Sequence, residues 1–287
     1  MRHPHLLTPS LVAIAHGSRD PRAGATVAGL LALARARASA RGLAGLEARG
    51  AFLGHAPPAP LQVLTALAGQ DGGERDVVVL PLLLTAAFHS GTDIPGLLAE
   101  ATAGLPRLRI RYGEPLGPHP GLVRALERRL AEAGQDPGDD PARTAVVLAS
   151  AGSSHPAANA AIARMASGWQ AARGWREVRP AYASAASPTP AEAVADLLRG
   201  GARHVVVASY LLAPGLFADR IRETSLAAGA AVVSAPLGAS AEVADVLLDR
   251  YQQAAAGGLG HGGAIGQRDD ARVSARLSAR SRWVSAR

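Results

Sequence analysis

An internal repeat is the feature of this sequence that most constrains its fold. Four segments typical of loops recur in the same order in the two halves of the 287-residue chain. The matched pairs are IAHGSRDP with LASAGSSHP, GAFLGHAPP with PAYASAASP, VVVLPLLLTAAFHSGTDI with VVVASYLLAPGLFADRI, and EPLG with APLG. A repeat of about 130 residues that is matched at four loops predicts two homologous domains.

Each repeat alternates short apolar runs with helical patterns. The runs that we interpret as strands are residues 11–15, 46–53, 77–84 and 108–112 in the first repeat, and 145–150, 178–183, 204–212 and 231–233 in the second. The run at 77–84 is almost unbroken and begins with three valines, which is typical of a strand buried on both faces of a parallel sheet. We therefore predict an α/β fold of two tandem lobes, each a four-stranded parallel sheet flanked by helices.

The predicted domain bounds follow from the repeat and from local composition. Residues 1–134 form the first lobe, the polar segment QDPGDDPAR at 135–143 is a linker, and residues 144–253 form the second lobe. Residues 254–287 lack a periodic apolar face and are predicted to be a disordered basic tail. From residue 268 onwards this tail holds six arginines against two aspartates, so it carries +4 of the formal net charge of +7.

Charge and hydropathy bound the partners and the compartment. The chain has no lysine and its excess positive charge collects in the tail, so we expect no nucleic-acid partner. The N-terminal segment MRHPHLLTPS is too short and too polar for a signal peptide, and no apolar run approaches the about eighteen residues of a membrane span. We expect a cytoplasmic monomer with an internal pseudo-two-fold axis.

The chain contains no cysteine, which excludes disulfides, thiolate zinc sites, iron–sulfur clusters and a thiol nucleophile. A bound metal must therefore be held by histidine, carboxylate or carbonyl oxygen. Imidazole suits divalent iron, cobalt, nickel and zinc. Histidines at the ends of the predicted strands are the candidate ligands.

His16 and His89 follow the first and the third predicted strands. Ligands bind beyond the carboxyl ends of strands in open α/β sheets, and in the flavodoxin-like order these two strands are neighbours at the switch point. The two imidazoles then face one cleft. An open pair of neutral histidines suits a divalent metal that is bound and released, whereas a structural zinc site has four ligands. His55 and His119 lie in loops at the same edge, and whether they contact the site stays open.

Two other kinds of site compete for the same loops. Gly17 and Ser18 form a turn before a predicted helix, as in phosphate sites. However, the glycine pattern of a dinucleotide site or P-loop is missing, and there is no lysine to serve one. Ser18 and Ser90 also lack the G-x-S-x-G elbow of a serine hydrolase.

The motifs HGSRDP, after the first strand, and LPLLLTAAFHSGTDIP, at the third, resemble those of the sirohydrochlorin chelatases, the class II chelatases of sirohaem and cobalamin synthesis. The resemblance spans residues 9–252 and implies two flavodoxin-like lobes that face each other across a cleft. It implies insertion of Fe2+ or Co2+ into sirohydrochlorin without ATP and without an organic cofactor. It also implies that His16 and His89 are the metal-binding and catalytic residues, and it leaves the choice between iron and cobalt open.

The substrate that this resemblance implies carries eight carboxylates, so cations are expected in the cleft. Arg19 and Arg220 are the candidates, one in each half, with Ser18 beside the first. Phe88 and Phe217 are candidates to pack on the tetrapyrrole.

The chain departs from the family pattern after the second strand. Many members have an acidic residue in this loop, where this chain has Gly54 followed by His55. Glu114, in the loop after the fourth strand, is a candidate to supply a carboxylate instead.

The two halves also differ from each other. The second has Ala151 where the first has His16, and Phe217 where the first has His89. We therefore expect the second lobe to close the cleft without binding metal. A metal-binding carrier or sensor with the same histidine pair, and a non-catalytic tetrapyrrole-binding protein, are the alternatives to an enzyme.

Overall fold

The computed structural model describes residues 8–70, 73–85, 94–135 and 140–257. The chain up to Ala255 forms one compact unit, and of the second unit only Ala256 and Gly257 are described. The prediction of a disordered tail at 254–287 is wrong for its first residues, because 254–256 continue the last helix and Ala254 and Ala255 pack against the core. The rest of that segment, from residue 258 onwards, and the predicted site residues Phe88 and His89 lie outside the described residues. No helix in the described ranges combines the length and the hydropathy that a membrane span requires.

Strands and helices alternate throughout both repeats. The first repeat contains β1 (Ser10–Ala15), α1 (Pro21–Ala38), β2 (Ala48–Phe52), α2 (Pro60–Ala68), β3 (Arg75–Pro81), α3 (Ile94–Gly104), β4 (Leu108–Tyr112) and α4 (Pro120–Glu132). The second contains β5 (Thr144–Ser150), α5 (Pro156–Arg173), β6 (Glu177–Tyr182), α6 (Pro190–Arg199), β7 (His204–Tyr210), α7 (Leu216–Ala227), β8 (Val232–Val233) and α8 (Ala241–Ala256). The predicted α/β alternation is confirmed.

Two strands end earlier than their apolar runs predict. β3 ends at Pro81 although the run continues to residue 84. Proline has no N–H to donate, and the N–H of Leu82 still donates to the carbonyl of Ile14 on β1 at 2.7 Å. β7 ends at Tyr210 because the N–H of Leu211 turns back to the carbonyl of Ser209, at 2.9 Å. In both repeats the apolar residues beyond the strand therefore continue as loop.

Each repeat forms its own parallel sheet, in the orders β2-β1-β3-β4 and β6-β5-β7-β8. The predicted neighbourhood of the first and third strands is confirmed, with Ile14 of β1 opposite Pro81 of β3. Neighbouring parallel strands lie about 4.8 Å apart. The loops that follow β1 and β3 therefore leave the same edge of the sheet side by side.

One face of each sheet is covered by helices of its own repeat. In the first sheet, Val12 and Ile14 pack with residues of α2 and α3. In the second sheet, Val205 and Val207 pack with residues of α6 and α7. These faces form two separate hydrophobic clusters.

The opposite faces share one core because the last helix of each repeat packs on the other lobe. On α4, Glu127 accepts hydrogen bonds from Trp169 Nε1 at 3.0 Å and Arg173 Nε at 2.6 Å, both on α5. On α8, Asp245 accepts from Arg37 Nε of α1 at 2.9 Å. A single cluster of buried residues consequently includes β1, β3, β5 and β7. The predicted bounds 1–134 and 144–253 divide the repeats along the chain but not this core, and as domain bounds they stay predictions.

Candidate active site

The carboxyl ends of β1, β3, β5 and β7 open on one cleft of about 1480 Å³, lined by both lobes. Typical small-ligand pockets have volumes of about 300–1,000 Å³, so this cleft has room for a large ligand. Its apolar lining includes Leu82, Leu83 and Leu84 from the first lobe and Tyr210 and Leu211 from the second.

His16 lies at the carboxyl end of β1, where the chain passes from buried strand to cleft. Residues 11–15 are buried, whereas His16 is exposed and lines the cleft. Its Nδ1 lies 3.4 Å from the carbonyl oxygen of Gly17. This exposed imidazole is therefore accessible to a ligand in the cleft.

Gly17 holds the loop after β1 against the loop after β2. It has a φ of 93°, and a Cβ on it would lie 1.7 Å from the carbonyl oxygen of Gly54. The N–H of Gly54 donates to the carbonyl of His16 at 3.1 Å. His55 follows with a φ of 63° and also lines the cleft. The backbone contact between these loops thus places a second exposed histidine at the same end of the sheet.

Ser18, Arg19 and Asp20 directly precede α1, with Asp20 as its N-cap. The Ser18 hydroxyl accepts from the Asp20 N–H at 3.0 Å, and the Asp20 carboxylate caps the helix by accepting from the Arg22 N–H at 2.9 Å. Side-chain and backbone hydrogen bonds from Arg22, with its positive charge, lower the pKa of Asp20. Ser18 and Arg19 both line the cleft, and the Arg19 side chain is exposed.

The second lobe contributes an apolar wall at the first turn of α7. Leu216 is 79% exposed and Phe217 is 40% exposed, and both line the cleft. Large apolar side chains this exposed inside a concave site favour a ligand with an apolar face. Sequence reasoning identified Phe217 but missed Leu216, because an exposed leucine breaks the apolar periodicity rather than following it.

Three of the sequence candidates lie away from the cleft lining. Arg220 is exposed on α7 but does not line the cavity, so its binding role stays a prediction. Glu114 is exposed and lies outside the cleft lining. Its charge acts on Tyr112 instead: burial of the Tyr112 side chain, with a smaller contribution from the Glu114 charge, raises the pKa of Tyr112 to about 12. His119 Nδ1 accepts from the Gly121 N–H at 3.1 Å and caps α4, which gives it a structural role.

Arg22 is a cleft-edge cation that sequence reasoning missed. Its guanidinium contacts Asp20 of the first lobe and Asp219 of the second. The local signal is an aspartate N-cap followed two positions later by an arginine. The partner from the second lobe has no such signal, because it lies 197 positions away.

Within the described ranges, no three histidine, aspartate or glutamate side chains are grouped to hold a metal ion. A closed structural site, which would need four ligands, is therefore not formed by that part of the chain.

The CbiX family model matches residues 10–133 and 145–254, which covers both repeats. The sirohydrochlorin cobaltochelatase of Priestia megaterium is 31% identical over 151 residues, 53% of this chain and 49% of that protein. The sirohydrochlorin ferrochelatase of Bacillus subtilis (strain 168) is 30% identical over 149 residues, 52% of this chain and 56% of that protein. These alignments span about half the length of the curated relatives.

Solved structures of chelatases share the fold over most of the chain. SirB from Bacillus subtilis with Fe3+ has a TM-score of 0.74 and 25% identity, covering 87% of this chain and 96% of that one. SirB from Bacillus subtilis subspecies spizizenii, in complex with cobalt, has a TM-score of 0.69 and 25% identity, covering 86% and 95%. Because the family model matches both repeats, and with them most of the sequence, the chain belongs to the CbiX family.

Proposed function

We propose that this protein is a sirohydrochlorin chelatase, which inserts Fe2+ or Co2+ into sirohydrochlorin without ATP. The observation that carries this proposal is the exposed imidazole of His16 on a cleft of about 1480 Å³ between two chelatase-like lobes. The names of the curated relatives, a cobaltochelatase and ferrochelatases, support the same reaction. We also propose that the protein acts as a cytoplasmic monomer.

Metal insertion requires that the ion lose water near the macrocycle and that two pyrrole N–H protons leave. His16 and His89 hold the ion, which is a substrate of the reaction. Neutral imidazole has one basic nitrogen, which either ligates a divalent metal or accepts a proton near pH 7. The histidine that gives up its bond to the ion therefore takes up one pyrrole proton, and the second proton passes to water. The electron pair left on the pyrrole nitrogen then binds the metal. The adjacency of β1 and β3 supports this pairing.

The substrate carboxylates and ring need different contacts. Arg19, with Ser18 beside it, binds carboxylate at the first lobe, and Arg220 does so at the second. Phe217 packs on the apolar face of the ring with Phe88, and the exposure of Phe217 on the cleft wall supports its part.

The test is the absorbance change of sirohydrochlorin on anaerobic addition of Fe2+ or Co2+, with and without protein. We expect a rate above the spontaneous one with at least one of the two ions. His16→Ala and His89→Ala should each lower the rate by about 100-fold or more. His119→Ser is the matched control, because it changes a histidine of the same lobe that caps α4 outside the cleft.

The outcomes separate the proposal from its alternatives. A spontaneous rate with tight Co2+ binding would indicate a carrier or sensor. A spontaneous rate with sirohydrochlorin binding alone would indicate a non-catalytic tetrapyrrole-binding protein. Catalysis that survives both histidine substitutions would contradict the site and leave the reaction standing.

A further inference from the structure

An ion pair between Arg22 and Asp219 joins the two lobes at the edge of the cleft. We call Asp20, Arg22 and Asp219 the cleft rim. Arg22 Nη1 donates to Asp219 Oδ1 at 3.2 Å, and Nη2 donates to Oδ2 at 2.5 Å. Two parallel N–H groups of one guanidinium thus contact both oxygens of one carboxylate. Arginine uses this forked geometry to bind the carboxylates of ligands.

The guanidinium is held in place without help from the second lobe. Arg22 Nε lies 3.1 and 3.0 Å from the two oxygens of Asp20, and Nη2 lies 2.6 Å from Oδ2. Asp20 is itself fixed as the N-cap of α1. The edge of Arg22 that faces Asp219 is therefore preorganised, which lowers the entropic cost of binding a carboxylate there.

The contact with Asp219 adds little to the joining of the lobes. The side chains of Arg22 and Asp219 are 51% and 57% exposed, and such ion pairs contribute about 0–1 kcal/mol. Two other features already connect the lobes: the common core, and the helices α4 and α8, each of which packs on the other lobe. The pair is therefore easily exchanged for another carboxylate.

We propose that Arg22 is a carboxylate-binding residue of the cleft and that Asp219 is an internal competitor, which a ligand carboxylate displaces. Asp20 and Asp219 line the cleft, whereas Arg22 lies outside the lining and contacts both of them. A ligand carboxylate therefore reaches Arg22 only by taking the place of Asp219. The inference rests on the proposed function in one respect, since it takes the polycarboxylate sirohydrochlorin as the ligand. Asp219 then lowers the affinity for any ligand that cannot place a carboxylate where the Asp219 carboxylate lies.

The test is equilibrium binding of metal-free sirohydrochlorin, followed by absorbance at physiological salt. Asp219→Asn should bind about 3- to 5-fold more tightly than wild type, because the competing charge is gone. Arg22→Gln should bind at least about 5-fold more weakly. In the Arg22→Gln background, Asp219→Asn should change the affinity by less than about 2-fold, because its target is missing.

The matched control is Asp196→Asn, which removes a carboxylate from an exposed ion pair with Arg199 on α6 of the same lobe, outside the cleft. We expect unchanged affinity. Thermal unfolding of each variant checks that the fold is intact. If wild type fails to bind sirohydrochlorin, the proposed function fails and this inference with it. If wild type binds and Asp219→Asn binds equally or more weakly, the inference is overturned and the function survives.

Discussion

The ends of β1 and β5 have the same backbone and different side chains. Gly17 and Gly152 have φ values of 93° and 82°, and a Cβ on them would lie 1.7 Å from the Gly54 carbonyl oxygen and 2.0 Å from that of Ser184. The residue before the glycine is His16 in the first lobe and Ala151 in the second. The turn is therefore required by the fold, and the histidine is not.

The loops after β2 and β6 repeat the same contrast. His55 and Ala185 both have positive φ, 63° and 57°, and both line the cleft. Because the second lobe holds an alanine in this conformation, the backbone does not require the imidazole. The two lobes share the backbone of these loops. The first lobe carries the histidines His16 and His55 on it, whereas the second lobe supplies the apolar wall of Leu216 and Phe217.

The largest expected effect, on the free energy of unfolding, tests whether both lobes need the glycine turns after β1 and β5. Gly17→Ala and Gly152→Ala should each lower the free energy of unfolding by about 3 kcal/mol or more, because a Cβ meets a backbone carbonyl at positive φ. Chemical denaturation followed by circular dichroism measures this. Because one core runs through both lobes, each substitution should shift a single transition.

The controls are Gly24→Ala in α1 and Gly168→Ala in α5, where a Cβ meets nothing within 4 Å. Alanine is the better helix former, so these variants should be as stable as wild type or up to about 1 kcal/mol more stable. Two separate transitions, with only one shifted by Gly152→Ala, would contradict a shared core.

A smaller effect concerns Tyr210, at the end of β7, which matches Leu82, directly after β3. The Tyr210 hydroxyl donates to the carbonyl of Leu84 in the other lobe at 2.9 Å, and the side chain is buried. Tyr210→Phe leaves that carbonyl without this donor and should cost about 1–2 kcal/mol of unfolding free energy. Denaturant titration of the variant measures the loss.

Tyr182→Phe is the comparison, because the Tyr182 hydroxyl donates to the carbonyl of Asn159 within the same lobe, at 3.2 Å. That carbonyl lies inside α5, so the loss should be about 0.5 kcal/mol. An equal or larger loss for Tyr182→Phe would contradict a special contribution from the contact between lobes.

The smallest effect concerns the N-terminal caps of α4 and α8, which differ between the two repeats. His119 caps α4 through Nδ1, whereas the hydroxyl of Ser240 accepts from the Val243 N–H at 3.4 Å at the start of α8. Burial lowers the pKa of His119 below 6.5; the charges of Arg250 and Arg124 also lower it, and that of Asp249 opposes them.

The unfolded chain therefore binds more protons at this position than the folded chain, and stability falls as pH falls below about 6.5. Protonation also removes the Nδ1 acceptor from the cap. His119→Ser, which copies the cap of α8, should flatten this part of the pH dependence, as measured by unfolding at about pH 7 and pH 5.5. Parallel curves for wild type and variant would contradict the assignment.

The strands were predictable because valine-rich runs are local signals, and the neighbourhood of β1 and β3 was predictable from the flavodoxin-like strand order. It was not predictable that α4 and α8 each pack on the other lobe. The apolar residues of α4, Leu122, Leu126 and Leu130, indicate which face of the helix is buried but not which sheet that face covers. The contact of Arg22 with Asp219 joins residues 197 positions apart, so no local pattern reports it. Of the predicted histidine pair, the structure describes His16, and the position of His89 stays a prediction.

The central claim is that the first lobe binds the metal and the second does not. Co2+ titration without sirohydrochlorin tests it most directly, with wild type, His16→Ala and His155→Ala followed by the cobalt absorption band. His155 is the matched comparison, because it is an exposed histidine on the cleft wall of the second lobe. We predict that His16→Ala weakens Co2+ binding at least about tenfold and that His155→Ala leaves it unchanged. Equal weakening in both variants, or none in His16→Ala, would contradict the claim.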